Sequence, residues 1–139
     1  MKTHNIASRI LFISFTAVLA FFVLVFAKET TSTWVAPASA AKLKNPVKPS
    51  PATFKAVKKI YAQQCVTCHG KDGKGDGPAA KFLGAKVADL TSARVQEQTD
   101  GEIFWKLTNG KSPMPTFKSM LTEQQRWELV NYIRTLKSK

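Results

Sequence analysis

This chain is short of the side chains that most often build chemical sites. Its 139 residues hold two cysteines, two histidines and nine acids against 21 Lys and Arg. A structural zinc site takes four ligands, commonly Cys and His, and no second Cys/His pair exists to complete one. A redox CxxC would sit beside a strand–helix–strand pattern, which the helical, Gly-rich flanks of the cysteines do not supply. Sustained apolar/polar alternation is also missing, so the strand signal is absent and the chain reads as all-α. Acids are too few to balance the bases, which leaves a formal charge of +12.

What the chain has in short supply, it concentrates. Residues 65–69 read Cys-Val-Thr-Cys-His and use up both cysteines. Two thiols three positions apart can form thioether bonds to the two vinyl groups of one haem, and the histidine that follows is placed to ligate the iron. His4 lies in a charged N-terminal stub, which leaves His69 as the imidazole candidate. The pentapeptide therefore points to one covalent haem c on Cys65 and Cys68, with its iron on His69.

The front of the chain is organised differently from the rest. Residues 1–9 form a basic stub carrying Lys2 and Arg9, expected on the cytoplasmic side. An uncharged apolar run from Ile10 to Ala27 follows, about 27 Å long as a helix at 1.5 Å per residue. That length just spans a hydrocarbon core of about 30 Å. The run reads as a membrane anchor, with everything beyond it on the periplasmic side, where bacterial covalent haem attachment takes place. The alternative is a cleaved signal peptide, with Ala38-Ser39-Ala40 as a small-residue cleavage site and a soluble periplasmic product. Residues 28–50 are rich in Ala, Pro and Lys without apolar periodicity, and read as an extended tether. Residues 51–139 are the expected haem domain.

Within that domain, Ser50-Pro51 starts a helix with a capping side chain and a proline in its first turn. Phe54, Val57, Tyr61 and Cys65 then recur at helical spacing, with Ile60 on the flank. Four glycines between Gly70 and Gly77 allow positive φ and close backbone approach beside a flat macrocycle. A short helix is expected from Pro78 to Gly84. Thr99 to Glu102 and Thr122 to Gln125 have the spacing of capping boxes. The helices they open would bury Ile103, Phe104 and Leu107, and Leu129, Tyr132, Ile133 and Leu136. Between them, Pro113 and Pro115 bracket Met114, and fixed φ on both sides makes a loop rigid enough to hold a thioether at a set distance from a metal. Met120 is the rival sulfur, better explained as packing.

Taken together, these segments resemble the class I c-type cytochromes, the monohaem mitochondrial and bacterial family. The resemblance runs from about Phe54 to Leu136 and rests on CVTCH, HGKDGKGDGPAA, the NG…PMP loop and WELVNYIRTL. It implies an all-α fold of three to five helices around one haem, with His69 and Met114 as axial ligands. It also implies that the Pro78 carbonyl accepts the N–H of the His69 imidazole, and that Tyr61 and Tyr132 lie near a crossing of the first and last helices. A six-coordinate iron leaves no open position, and Met/His ligation raises the potential. The implied function is one-electron transfer rather than catalysis.

Two other classes stand beside the electron carrier: a haem subunit of a larger oxidoreductase complex, and a gas-binding or peroxidatic haem protein. The last requires Met114 to be off the iron, and four-helix gas-binding cytochromes carry CxxCH near the C-terminus, whereas 70 residues follow His69 here. Without residues 1–40, which carry Lys2, Arg9, Lys28 and Glu29, 18 basic and 8 acidic side chains remain. Nucleic acid is excluded by compartment. Lys71, Lys74, Lys111 and Lys118 flank the two ligand segments and are expected to steer docking of redox partners with acidic surfaces.

Overall fold

A computed structural model describes residues 34–137. Among the described residues the chain is helical, without strands, and has one isolated bridge between Lys111 and Met114. Its helices are α1 (Pro51–Gln64), α2 (Val66–His69), α3 (Ala93–Gln96), α4 (Asp100–Asn109) and α5 (Glu123–Thr135), with 3₁₀ turns at Ala40–Lys42 and Ala80–Phe82. Each long helix begins where its cap places it. Ser50 Oγ accepts from the Thr53 N–H at 3.2 Å, and Thr53 Oγ1 accepts in return from the Ser50 N–H at 3.0 Å. Thr99 with Glu102 and Thr122 with Gln125 repeat the reciprocal pattern at α4 and α5. Such a cap contributes about 1 kcal/mol.

The core forms where α1, α4 and α5 meet. Val57 and Tyr61 of α1 and Leu129, Val130 and Ile133 of α5 are buried, joined by Ile103, Phe104 and Leu107 of α4. Tyr61 and Tyr132 touch across α1 and α5 with ring centroids 4.9 Å apart. Phe104 stacks on Trp127 at 3.8 Å with planes 9° apart. Burying each large apolar side chain contributes about 1.5–3 kcal/mol, and this cluster supplies the platform on which the cysteine motif rests.

Three features depart from the sequence reading. First, the stretch read as a tether belongs in large part to the compact unit, which begins at Val35. Ala36 and Ala40 are buried, and Asn45 Nδ2 donates to Asn131 Oδ1 at 2.9 Å while Asn131 Nδ2 donates to the Val47 carbonyl at 2.9 Å. Small side chains and amide bonds fix this segment, so it needs no apolar period. Second, Arg126 is buried in α5, because its guanidinium donates to the Leu121 and Lys118 carbonyls and lies 5.3 Å over the Phe104 ring. Third, the helix expected over 78–84 is only the 3₁₀ turn Ala80–Phe82, and α3 was not foreseen. Among the described residues no helix is long and apolar enough to cross a membrane. The stub at 1–9 and the apolar run at 10–27 lie outside them.

Candidate haem-attachment site

The two cysteines reach one face of the chain because the motif is helical. The Cys68 and His69 N–H groups both donate to the Cys65 carbonyl, at 3.1 and 2.8 Å. Positions three and four apart on a helical turn are neighbours, so Cys65, Cys68 and His69 converge. The two cysteines form no disulfide. Cys65 is buried, and desolvation, with Cys68 adding to it, pushes its thiol pKa up to about 12. Two reduced thiols with an imidazole beside them form the donor set that covalent haem attachment needs. These residues fit the group.

A loop folds back over the motif and locks it. The N–H groups of Gly75, Gly77 and Ala79 donate to the carbonyls of His69, Cys68 and Thr67 at 2.8, 3.1 and 2.9 Å. The approach is so close that a Cβ on Gly77 would meet the Thr67 and Val66 oxygens at 2.5 Å. Tyr61 reinforces the turn from below: its buried hydroxyl donates to the Gly70 carbonyl at 3.0 Å, and desolvation raises its pKa and keeps it protonated. Periodicity marks Tyr61 as packing and gives no sign of this bond.

His69 is oriented by a group that the sequence reading missed. Its Nδ1 lies 3.0 Å from the Ala88 carbonyl, not the Pro78 carbonyl that the resemblance implies. A carbonyl can only accept, so Nδ1 carries the proton and Nε2 keeps its lone pair. Pro78 lies in the turn that precedes Ala80–Phe82, and the Leu90 N–H bonds to the Gly73 carbonyl at 2.6 Å and brings the 87–90 segment over the glycine loop. Burial lowers the His69 pKa, with the Ala88 bond opposing it. The imidazole is thus kept neutral, the form in which it ligates metal.

Met114 lies in a tight turn. The Lys111 N–H donates to the Met114 carbonyl at 3.0 Å, and the Met114 N–H to the Lys111 carbonyl at 2.8 Å. Gly110, at φ 64°, lets the chain reverse so sharply that a Cβ there would lie 2.6 Å from Pro115. Thr116 Oγ1 then bonds the Thr108 carbonyl and the Phe117 N–H bonds Leu107, tying the loop to the end of α4. Met114 is half-buried against the core, whereas Met120, read as a packing residue, is 53% exposed. Lys71, Lys74, Lys111 and Lys118 are all exposed.

Residues 52–133 match the family model described as cytochrome C oxidase, cbb3-type, subunit III. Cytochrome c6 of Euglena gracilis is 28% identical over 81 residues, a match that covers 55% of this chain and 84% of that protein. Among solved structures, the chain is similar to one in the Kuenenia stuttgartiensis reducing HAO-like protein complex Kustc0457/Kustc0458. That match has a TM-score of 0.59 and 31% identity, and covers 70% of this chain and about half (49%) of the other. It is also similar to the KustC0563 c-type cytochrome, with a TM-score of 0.51, 32% identity, and coverage of 58% of this chain and 96% of that one. With the family model matched across both cysteines and His69, the chain belongs to the cbb3-type cytochrome oxidase subunit III family, and is a class I c-type cytochrome with one covalent haem c and its iron.

Proposed function

We propose that the protein is a one-electron carrier on the extracytoplasmic side of the membrane, and not an enzyme. The observation that supports this reading is a His69 oriented by the Ala88 carbonyl beside both cysteines, and a proline-bracketed Met114 in a loop tied to α4 offers the second ligand. Haem c supplies a reversible ferric/ferrous couple when bound. Cys65 and Cys68 would hold it covalently, His69, its tautomer set and its basicity raised by the Ala88 carbonyl, would ligate the iron, and Met114 would supply a thioether as a second ligand. With both ligands supplied by the chain, the iron would have no open position for substrate or dioxygen, and electron transfer would be the chemistry left to it.

The exposed lysines around the two ligand segments favour encounter with acidic redox partners. The apolar run at 10–27 is proposed to associate the chain with the membrane. A second reading, that the domain is a haem subunit of a larger oxidoreductase, is favoured by its likeness to a chain of the HAO-like complex.

Exposure of the reduced holoprotein to carbon monoxide tests the proposal. The spectrum is expected to stay unchanged while a one-electron mediator reduces and reoxidises the protein reversibly. Carbon monoxide binding to the wild-type protein would replace this reading with the gas-binding or peroxidatic one.

A further inference from the structure

The Ala38-Ser39-Ala40 sequence has the composition of a leader-cleavage site but sits inside the folded unit. Ala40 is 2% exposed and Ala36 is 5% exposed. Ser39 has helical φ and ψ of −64° and −32°, and the Ala40 N–H and the Leu43 N–H close successive turns on the Pro37 and Ala40 carbonyls at 2.8 and 3.0 Å. From Asn45 the chain continues along α5, where Asn131 accepts from Asn45 Nδ2 and donates to the Val47 carbonyl.

The partner surface on α4 is shaped for this segment. Gly101 lies in the first turn of α4 without a positive φ, a place where Ala would ordinarily favour the helix. A Cβ there would meet the Ala40 carbonyl at 2.0 Å, Leu43 Cβ at 2.8 Å and the Leu43 carbonyl at 2.9 Å. The glycine is needed because the strap's backbone occupies the space that a side chain would fill.

We infer that residues 36–47 are an integral strap of the haem domain, and that the mature protein keeps them, so any leader processing leaves Ala38-Ser39-Ala40 intact. Cleavage after Ala40 would remove the buried Ala36 and Ala40 and place a new charged N-terminus against the first turn of α4. The exposed Ala38 makes the test clean, because Ala38→Arg destroys a small-residue cleavage site without touching the buried face.

The inference rests on the exported reading, and covalent haem in the same mass spectrum reports export independently of the N-terminus. Intact mass of the haem-bearing protein from cells should show a chain that still contains Ala36–Ala40, and Ala38→Arg should shift that mass by the substitution alone. A haem-bearing chain that starts at Ala41, or a block of processing by Ala38→Arg, overturns the inference. In the full-length holoprotein, Gly101→Ala should lower Tm by about 4–8 °C. It should also speed amide exchange across residues 40–47 while leaving exchange in the haem motif unchanged. An unchanged or raised Tm with a still-protected strap would equally overturn it.

Discussion

The α1/α4/α5 core and the loop from Gly70 to Leu90 are both ordered, yet they are held by different forces. In the core, Val57, Leu129 and Val130 are at most 1% exposed, and apolar burial supplies the stability. In the loop, backbone bonds to the carbonyls of Thr67, Cys68, His69 and Gly73 carry the structure. Each such bond nets about 0.5–1.5 kcal/mol, less than the burial of one large apolar side chain. The core therefore sets whether the domain stays folded, and the loop sets how the Cys65–His69 segment is held. Changes in one should move Tm, and changes in the other should move the spectrum of the haem.

The most severe break in that division is Cys65→Ala combined with Cys68→Ala. It should leave a chain whose mass lacks covalent haem and whose helical circular dichroism falls below that of any core variant, because a domain this small leans on the cofactor for its interior. Haem that survives a denaturing gel in that variant would contradict the attachment site.

Leu129→Ala removes a fully buried side chain of α5. It should cost about 2–5 kcal/mol in chemical denaturation, with the absorption spectrum of the folded fraction unchanged. A shifted haem spectrum would show that core and loop are not separable. Gly77→Ala is the converse probe: its new methyl strikes the carbonyls of Val66 and Thr67, with an expected loss of about 1–3 kcal/mol. Unlike Leu129→Ala, it should also alter the axial-ligand signature of the oxidised haem.

The smallest expected effect concerns Glu102. The Thr99 N–H and hydroxyl hold its carboxyl below the ordinary value of 4.5. A carboxylate with a lowered folded pKa adds stability above its unfolded pKa, and that stability is lost as pH falls through the folded value. Glu102→Gln should therefore lower stability slightly at pH 7, by about 0.3 kcal/mol for an exposed charge at a helix start. The difference should vanish in acid. A difference that grows below pH 4 would mean that the cap is not electrostatic.

The core was more legible in the sequence than the loop, for a physical reason. Helix starts announce themselves through Ser50, Thr99 and Thr122, whose caps act over three residues, and apolar spacing marks Ile103, Phe104, Leu107, Leu129 and Ile133 directly. The CVTCH spacing and the proline bracket around Met114 are equally local. The Ala88 carbonyl lies 19 residues from His69 and acts through its backbone, so no side-chain pattern reveals it. Trp127, Val130 and Arg126 carry no such signal because α5 buries more than one stripe, with Arg126 Nη1 donating to the Leu121 and Lys118 carbonyls. The strap at 36–47 escaped for a similar reason. Its buried side chains are alanines, and its anchor is an Asn45–Asn131 pair 86 residues apart.

The closed-site reading depends above all on which sulfur reaches the iron, and paired spectra of Met114→Ala and Met120→Ala decide it. Oxidised wild-type protein should show the weak far-red absorption of a sulfur–iron bond. Met120→Ala, a change at an exposed side chain, should retain that absorption. Met114→Ala should lose it, with a lower reduction potential and a ferrous form that binds carbon monoxide. Loss of the band in Met120→Ala with its retention in Met114→Ala would contradict the proposed ligand pair.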